Sequence, residues 1–497
     1  MSTNNPYYRP LLVLLLVTTA FRLFYINLIE LTPDEAYYWD LSRRLQLSYF
    51  DHPPMQMYLI SFFTKIFGST EFAVRLPSVI ISSIVTAVVF LLGKELFDER
   101  VGFYSAFLAN ITLIYSVGGV LSTIDTPFAL FWVSALYFGV KAIKTGDGKW
   151  WYLKDVALGL GMLSKYVMVL FIPAFLIFIL LSKEHRHWLK RKEPYVGSII
   201  AILIFLPVII WNAQNDWISF KFQLAHGLQI KKKKTGLPSL MEYIGSQAAV
   251  LSPLLFVALI WATVKGVIVW LRERDWRYLF LVTTSAFVFL FFGYSSLRAK
   301  VEGNWPMSAY FAAIISLASL YSQSSYRGKR VFAALVAGTA LLFTIFAHIQ
   351  GVSPVIFIKK DPTDQLHGWS QFGKEVGDTM RDLKIEEGQK TFILANSHQL
   401  TAELAFYTPS QPRVYELTGI GRLNQYSLWE PPDTGSDALL VAGPGMEEDP
   451  YIRSLFEDVK EVKKVEIRRG EKAIKTYSLF ICRNFRGFNL ETADARR

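Results

Sequence analysis

The sequence predicts a polytopic α-helical membrane protein over residues 1–350, followed by a water-soluble α/β domain over residues 351–497. Three observations predict it. The chain is 52% hydrophobic and 19% charged, where soluble domains run nearer ~25% charged, and its mean hydropathy is +0.29. Several apolar runs reach the length of about twenty residues that crosses a hydrocarbon core. After Gly351 the apolar runs shorten and charges become frequent.

In chain order, spans are expected at 10–29, 72–93, 101–119, 126–143, 154–164, 166–181, 195–211, 249–270, 277–293, 305–321 and 331–350, about eleven in all. Arg9 precedes the first apolar run, Leu11–Ile29, and no small-residue cleavage site follows it, so this reads as a retained span. The stretch 154–181 is flanked by Lys141, Lys144, Lys149 and Lys154 on one side, and by Lys183, Arg186, Lys190, Arg191 and Lys192 on the other. Cations mark cytoplasmic flanks, and only a hairpin of two short helices returns both flanks to one side. Its turn falls near Ser164-Lys165. The parity then puts Arg272, Arg274, Arg277, Arg327, Lys329 and Arg330 inside, and segments 30–71, 212–248, 294–304 and 350–497 outside. The Lys231–Lys234 run opposes the rule by falling in an outer segment.

In the C-terminal domain, 390–395, 438–442 and 476–482 read as strands, and 371–383 and 399–406 as helices, from their periodicity. The net charge of +11 suits cytoplasmic loops facing anionic membrane lipids rather than a nucleic-acid partner. A single cysteine, Cys482, excludes an intramolecular disulfide and any paired-cysteine metal site.

The first outer segment opens with Thr32-Pro33-Asp34-Glu35, which is a capping box with proline at the first helical position. Glu35 is accounted for by that cap, and Asp34 suits the helix dipole. The following Tyr37, Tyr38 and Trp39 fit an interfacial aromatic belt. Next comes Tyr49-Phe50-Asp51-His52-Pro53-Pro54, and then an apolar stretch, 55–67, too short to span and read as a helix lying on the membrane. Lysine inside the apolar hairpin, Lys165, either snorkels or faces a functional anion.

These residues carry a resemblance. Asp34–Trp39 and Tyr49–Pro54, followed by Asp125-Thr126-Pro127, Leu163–Tyr166, Glu302-Gly303-Asn304-Trp305-Pro306 and Gly421–Tyr426, stand in order over some four-fifths of the chain. The set resembles the GT-C glycosyltransferases, bacterial relatives of dolichyl-phosphate-mannose–protein mannosyltransferase. Within them it is most similar to the transferases that place aminoarabinose and related sugars on lipid A. The resemblance implies a sugar carried on a polyprenyl (undecaprenyl) phosphate and passed to a lipid or glycolipid acceptor. The chemistry would take place at the periplasmic face of a bacterial inner membrane.

It assigns Asp34 as general base or positioner of the acceptor, Asp125 as the second acid, and His52 as a further catalytic group. Lys165, Arg298 and Lys300 would hold the donor phosphate, while Glu35, Tyr37, Tyr38, Tyr49, Glu302 and Asn304 would contact substrate. A divalent ion, zinc or manganese, would sit at Asp51 and His226, whose carboxylate and imidazole suit such metals. Asp51-His52 departs from the Glu-Lys that the aminoarabinose transferases carry before the double proline, which leaves the sugar and acceptor open. Two alternatives stand beside this reading: a protein O-mannosyltransferase acting on a polypeptide, and a secondary transporter, since broken helices and buried charges serve transport too.

Overall fold

A computed structural model describes residues 6–228, 236–325, 327–382, 391–418 and 422–488. The chain divides into two compact units. The first comprises residues 1–25, 46–56 and 75–349, and the second 26–45, 57–74 and 350–497. The division differs from a single cut after residue 350. The helix Pro33–Ser42 packs its aromatic face on the helix His398–Tyr407, with Trp39 edge-on to Phe406 at 4.8 Å. Much of the first outer segment therefore folds with the C-terminal sheet.

The first unit is helical. Seven described helices are long and apolar enough to cross a membrane: Tyr8–Tyr25, Glu71–Leu96, Asp125–Thr145, Glu193–Gln214, Pro253–Glu273, Trp276–Ser296 and Lys329–Val352. The other expected spans form shorter helices. The run 101–119 is broken at Thr112 into Glu99–Ile111 and Leu113–Gly118. Thr112 adopts extended backbone, and its hydroxyl donates to the Leu108 carbonyl. The hairpin forms as Lys149–Met162, a turn at Ser164-Lys165, the 3₁₀ turn Tyr166–Leu170 and the helix Phe171–Leu181. Met307–Gln323 fills the place of the tenth span. Small residues let these helices approach closely: a Cβ on Gly102 would stand 2.5 Å from the Phe90 carbonyl oxygen.

The second unit is built on a five-stranded mixed sheet. Its strands are β1 (Thr391–Ala395), β2 (Val414–Glu416), β3 (Asp437–Ala442), β4 (Asp458–Arg469) and β5 (Lys472–Arg483), in the order β2-β1-β3-β5-β4. β1 runs parallel to β2 and β3, pairing Ile393 with Val414 and Leu439. β5 runs antiparallel to β3 and β4. Phe392, Leu394, Leu440, Ile452, Phe480 and Phe485 form its core with the thiol of Cys482, whose pKa burial raises to about 12. The sequence pattern reached β1, β3 and β5 and missed the others. β2 is three residues long, and β4 is an edge strand whose alternation is masked by charge.

Candidate active site

In the first unit, the best-defined grouping of expected site residues forms around Asp125, which opens the helix Asp125–Thr145 and is buried. Lys165 Nζ donates to Asp125 Oδ1 at 2.5 Å, and Asn304 Nδ2 donates to Oδ2 at 2.5 Å. Thr126 Oγ1 donates to the Gly118 carbonyl at 2.8 Å, tying the helix start to the loop before it. Lys165 sits where the hairpin turns, its amide donating to Gly161 O at 2.9 Å. The ammonium lies 5.8 Å from the Phe128 ring and is buried, so it does not snorkel to the surface. A buried ion pair needs such hydrogen bonding to offset desolvation. One ammonium N–H goes to Asp125, and an ammonium has three.

The segment 46–56 packs against this turn. Met55 N donates to Leu163 O at 3.0 Å, and Gln56 Nε2 to Ser122 Oγ at 2.7 Å. Asp51 is buried and His52 half-buried. The Asp51 carbonyl accepts from Gln223 Nε2 at 2.8 Å, so the helix Ile218–Leu228 lies against the turn that bears Asp51. His226 is three residues further along that helix, and the side chain of His226 lies outside the described residues, as do Lys231–Lys234 and Gly421. Among the described residues no group of three or more His, Cys, Asp or Glu side chains is arranged to hold a metal ion.

Arg298 lies over the Tyr294 ring and donates to its hydroxyl, while Lys300 pairs with Glu302 at 3.0 Å. All three of Arg298, Lys300 and Glu302 are exposed. Tyr49 is fully buried, its hydroxyl accepting from Gln46 N at 3.3 Å, so it supports the segment from inside rather than lining an open face.

In the second unit, Asp34 is exposed at the start of the helix Pro33–Ser42. Glu35 is fully buried and completes the capping box, Oε2 accepting from Thr32 N at 2.9 Å. Tyr37 and Tyr38 are also buried. The Tyr37 hydroxyl accepts from Gln425 N at 3.0 Å, and its ring meets His398 edge-on at 5.5 Å. Glu35 and Tyr37 thus help to hold the helix that carries Asp34. The pKa of His398 is pushed down to about 4 by burial, with the charge of Arg422 adding to the effect. The described part of the Gly421–Tyr426 motif makes the opposite half of this anchor. Asn424 caps Tyr426 N at 2.9 Å, and Tyr426 donates from its hydroxyl to Asp40 Oδ2 at 2.9 Å.

One group escaped the sequence reading. Arg22, within the first membrane helix, is buried; its Nη2 donates to Asn110 Oδ1 at 2.9 Å, and its Nη1 has no hydrogen-bond partner among the described residues. Arg22 and Asp125 line one cavity of about 30 Å³ together with Thr86, Asn110 and Thr126, room on the order of one water. The available signal was a charge inside an apolar span.

Residues 51–211 match the family described as dolichyl-phosphate-mannose-protein mannosyltransferase. The chain is 26% identical to a lipid A galacturonosyltransferase of Rhizobium johnstonii over 353 residues, 68% of this chain and 71% of that protein. It is 26% identical to an undecaprenyl phosphate-α-4-amino-4-deoxy-L-arabinose arabinosyl transferase of Pseudomonas fluorescens over 240 residues, spanning 42% of this chain and 43% of that one. The crystal structure of ArnT from Cupriavidus metallidurans bound to undecaprenyl phosphate shares the fold across 94% of this chain and 97% of that chain, with a TM-score of 0.66 and 15% identity. The chain is a membrane glycosyltransferase, similar to the dolichyl-phosphate-mannose-protein mannosyltransferase family over residues 51–211. That sets aside the transporter. In this glycosyltransferase the fold is the ArnT fold, with the C-terminal sheet domain as part of it.

Proposed function

We propose that this glycosyltransferase moves a sugar from undecaprenyl phosphate to lipid A, or to a related envelope glycolipid, at the periplasmic face of the bacterial inner membrane. The observation that carries the reading is the buried Asp125–Lys165 pair at the hairpin turn, with Asn304 on the same carboxylate. An ammonium held at the hairpin turn supports a reading in which it faces the departing lipid-borne phosphate. Relatives named for lipid A and undecaprenyl phosphate support donor and acceptor class.

In the reaction, an acceptor oxygen forms a bond to the anomeric carbon as the bond from that carbon to the phosphate oxygen breaks. The electron pair leaves with undecaprenyl phosphate. Lys165 offsets the charge on that phosphate, with Arg298 and Lys300 as outer cations, and this stabilisation is the main rate term. Asp125 and Asn304 fix Lys165. A hydroxyl acceptor gives its proton to Asp34 or to His52; a phosphate acceptor has none to give, and Asp34 then only orients it. A divalent ion, zinc or manganese, would be held by Asp51 with His226 and would supply positive charge. The contact of Gln223 with the Asp51 turn supports that placement.

The test is mass spectrometry of envelope lipids from cells with the protein, without it, and with Asp125→Asn. Loss of one sugar-sized mass from lipid A in the latter two is expected. Lipid A unchanged in all three would sink the acceptor assignment, and a sugar lost from an envelope protein instead would favour the mannosyltransferase-type reaction suggested by the match over 51–211. For the metal, exhaustive chelation of purified enzyme should lower turnover at least tenfold, with recovery on adding zinc or manganese; full activity in chelator removes the ion from the mechanism.

A further inference from the structure

We infer that the loop Ser353–Lys360 is a lipid-surface anchor for the second unit, seating apolar side chains among acyl chains and lysines on anionic headgroups. Val355, Ile356 and Phe357 are 59%, 50% and 81% exposed. Three adjacent large apolar side chains held out to water need an apolar environment to cover them.

Their exposure is built rather than slack. Gln350 is buried beneath the loop; its Oε1 accepts from Val355 N at 2.8 Å and Ile356 N at 3.2 Å. Its Nε2 donates to Ile356 O at 3.0 Å and to Asp361 Oδ2 at 2.6 Å. From the other side Lys472 Nζ donates to Ile358 O at 3.2 Å and Asp364 Oδ2 at 2.5 Å, lying 5.4 Å from the Phe357 ring. These bonds to the backbone of Val355, Ile356 and Ile358 hold the loop in the shape that presents Val355, Ile356 and Phe357 outward.

What covers them follows from where the loop stands. It begins directly after Val352, the last residue of a membrane-length helix. Its first residues, Ser353 and Pro354, line one groove of about 1170 Å³ with 26–30 and 70–72. Those two segments adjoin the membrane-length helices Tyr8–Tyr25 and Glu71–Leu96. Three chain segments next to spans thus meet at the base of the loop, which fixes it at the bilayer boundary. Lys359 and Lys360 follow, both exposed. An apolar tip with an adjacent cation pair is the pattern that binds an anionic lipid surface.

The test uses full-length protein in nanodiscs of phosphatidylcholine with or without 30% phosphatidylglycerol. Phe357→Cys carries an environment-sensitive fluorophore. Native Cys482 is buried and stays silent, and the exposed Glu457 position, as Glu457→Cys, is the aqueous control. Nitroxide-labelled lipid should quench the probe at 357 at least threefold more than at 457, with blue-shifted emission. Adding Lys359→Glu and Lys360→Glu should reduce quenching in the anionic discs and leave it unchanged in the neutral ones. Equal quenching at 357 and 457 overturns the inference. A blue shift without lipid quenching also overturns it, because a protein surface then covers the loop. Val355→Cys repeats the measurement should the label at 357 disturb the fold.

Discussion

Asp125 and Lys165 are bonded at 2.5 Å in a buried setting, so each is the other's remedy for lost water. Lys165→Met would strand a buried carboxylate and cost about 3–5 kcal/mol. Adding Asp125→Asn should restore most of that stability and none of the turnover. Thermal unfolding in detergent beside a transfer assay reads both quantities, and strictly additive losses in the two single variants and the double would mean the pair is not coupled. Both residues were legible as chemistry-bearing, because a charge in an apolar stretch demands a reason. Their bonding was not. Asn304 reaches Asp125 across 179 positions and Lys165 across 40, separations that no local pattern encodes. Glu35 shows the reverse. Its capping spacing, read from the sequence, already described the bond that the structure shows.

At the scale of elements, the hairpin was legible from the cations that flank it, and its packing was not. The helix Lys149–Met162 carries a buried Lys154–Asp155 pair at 2.5 Å, with the ammonium 5.1 Å from the Trp151 ring and 5.3 Å from that of Phe175. The neighbouring helix allows this only through Gly197, since a Cβ there would come within 2.0 Å of Asp155 Oδ2. Gly197→Ala should therefore push the carboxylate off its lysine and cost about 1–3 kcal/mol. Gly338→Ala, with nothing within 4 Å of the added carbon, should be neutral or slightly stabilising, as alanine is in a helix interior. Equal melting temperatures for the two variants would dismiss the crossing as a constraint. The break at Thr112 was invisible in advance, because 101–119 carries no charge and no proline, and threonine is common in helices.

For the molecule as a whole, the charge bias of the loops predicts a topology with the C-terminal domain outside and the turn at Arg274 inside. In intact cells an impermeant maleimide should label Glu457→Cys and spare Arg274→Cys until the membrane is opened, with the buried Cys482 adding no background. Labelling of both before lysis would invert or dissolve the assigned orientation. The domain cut at residue 350 was the least legible feature of the chain. Hydropathy marks where spans end, whereas the partner chosen by Pro33–Ser42 is set by the shape of an aromatic face meeting a helix some 360 residues away. At the far margin of the sheet, β4 ends the ladder, with one row of amides and carbonyls unmatched by any strand among the described residues. Lys460, Lys463, Lys464, Glu466 and Arg468 stand exposed along that border. A row of exposed charge along such a border discourages a neighbouring copy from zipping on, so many of these enzymes can crowd a membrane without knitting their outer domains into fibres.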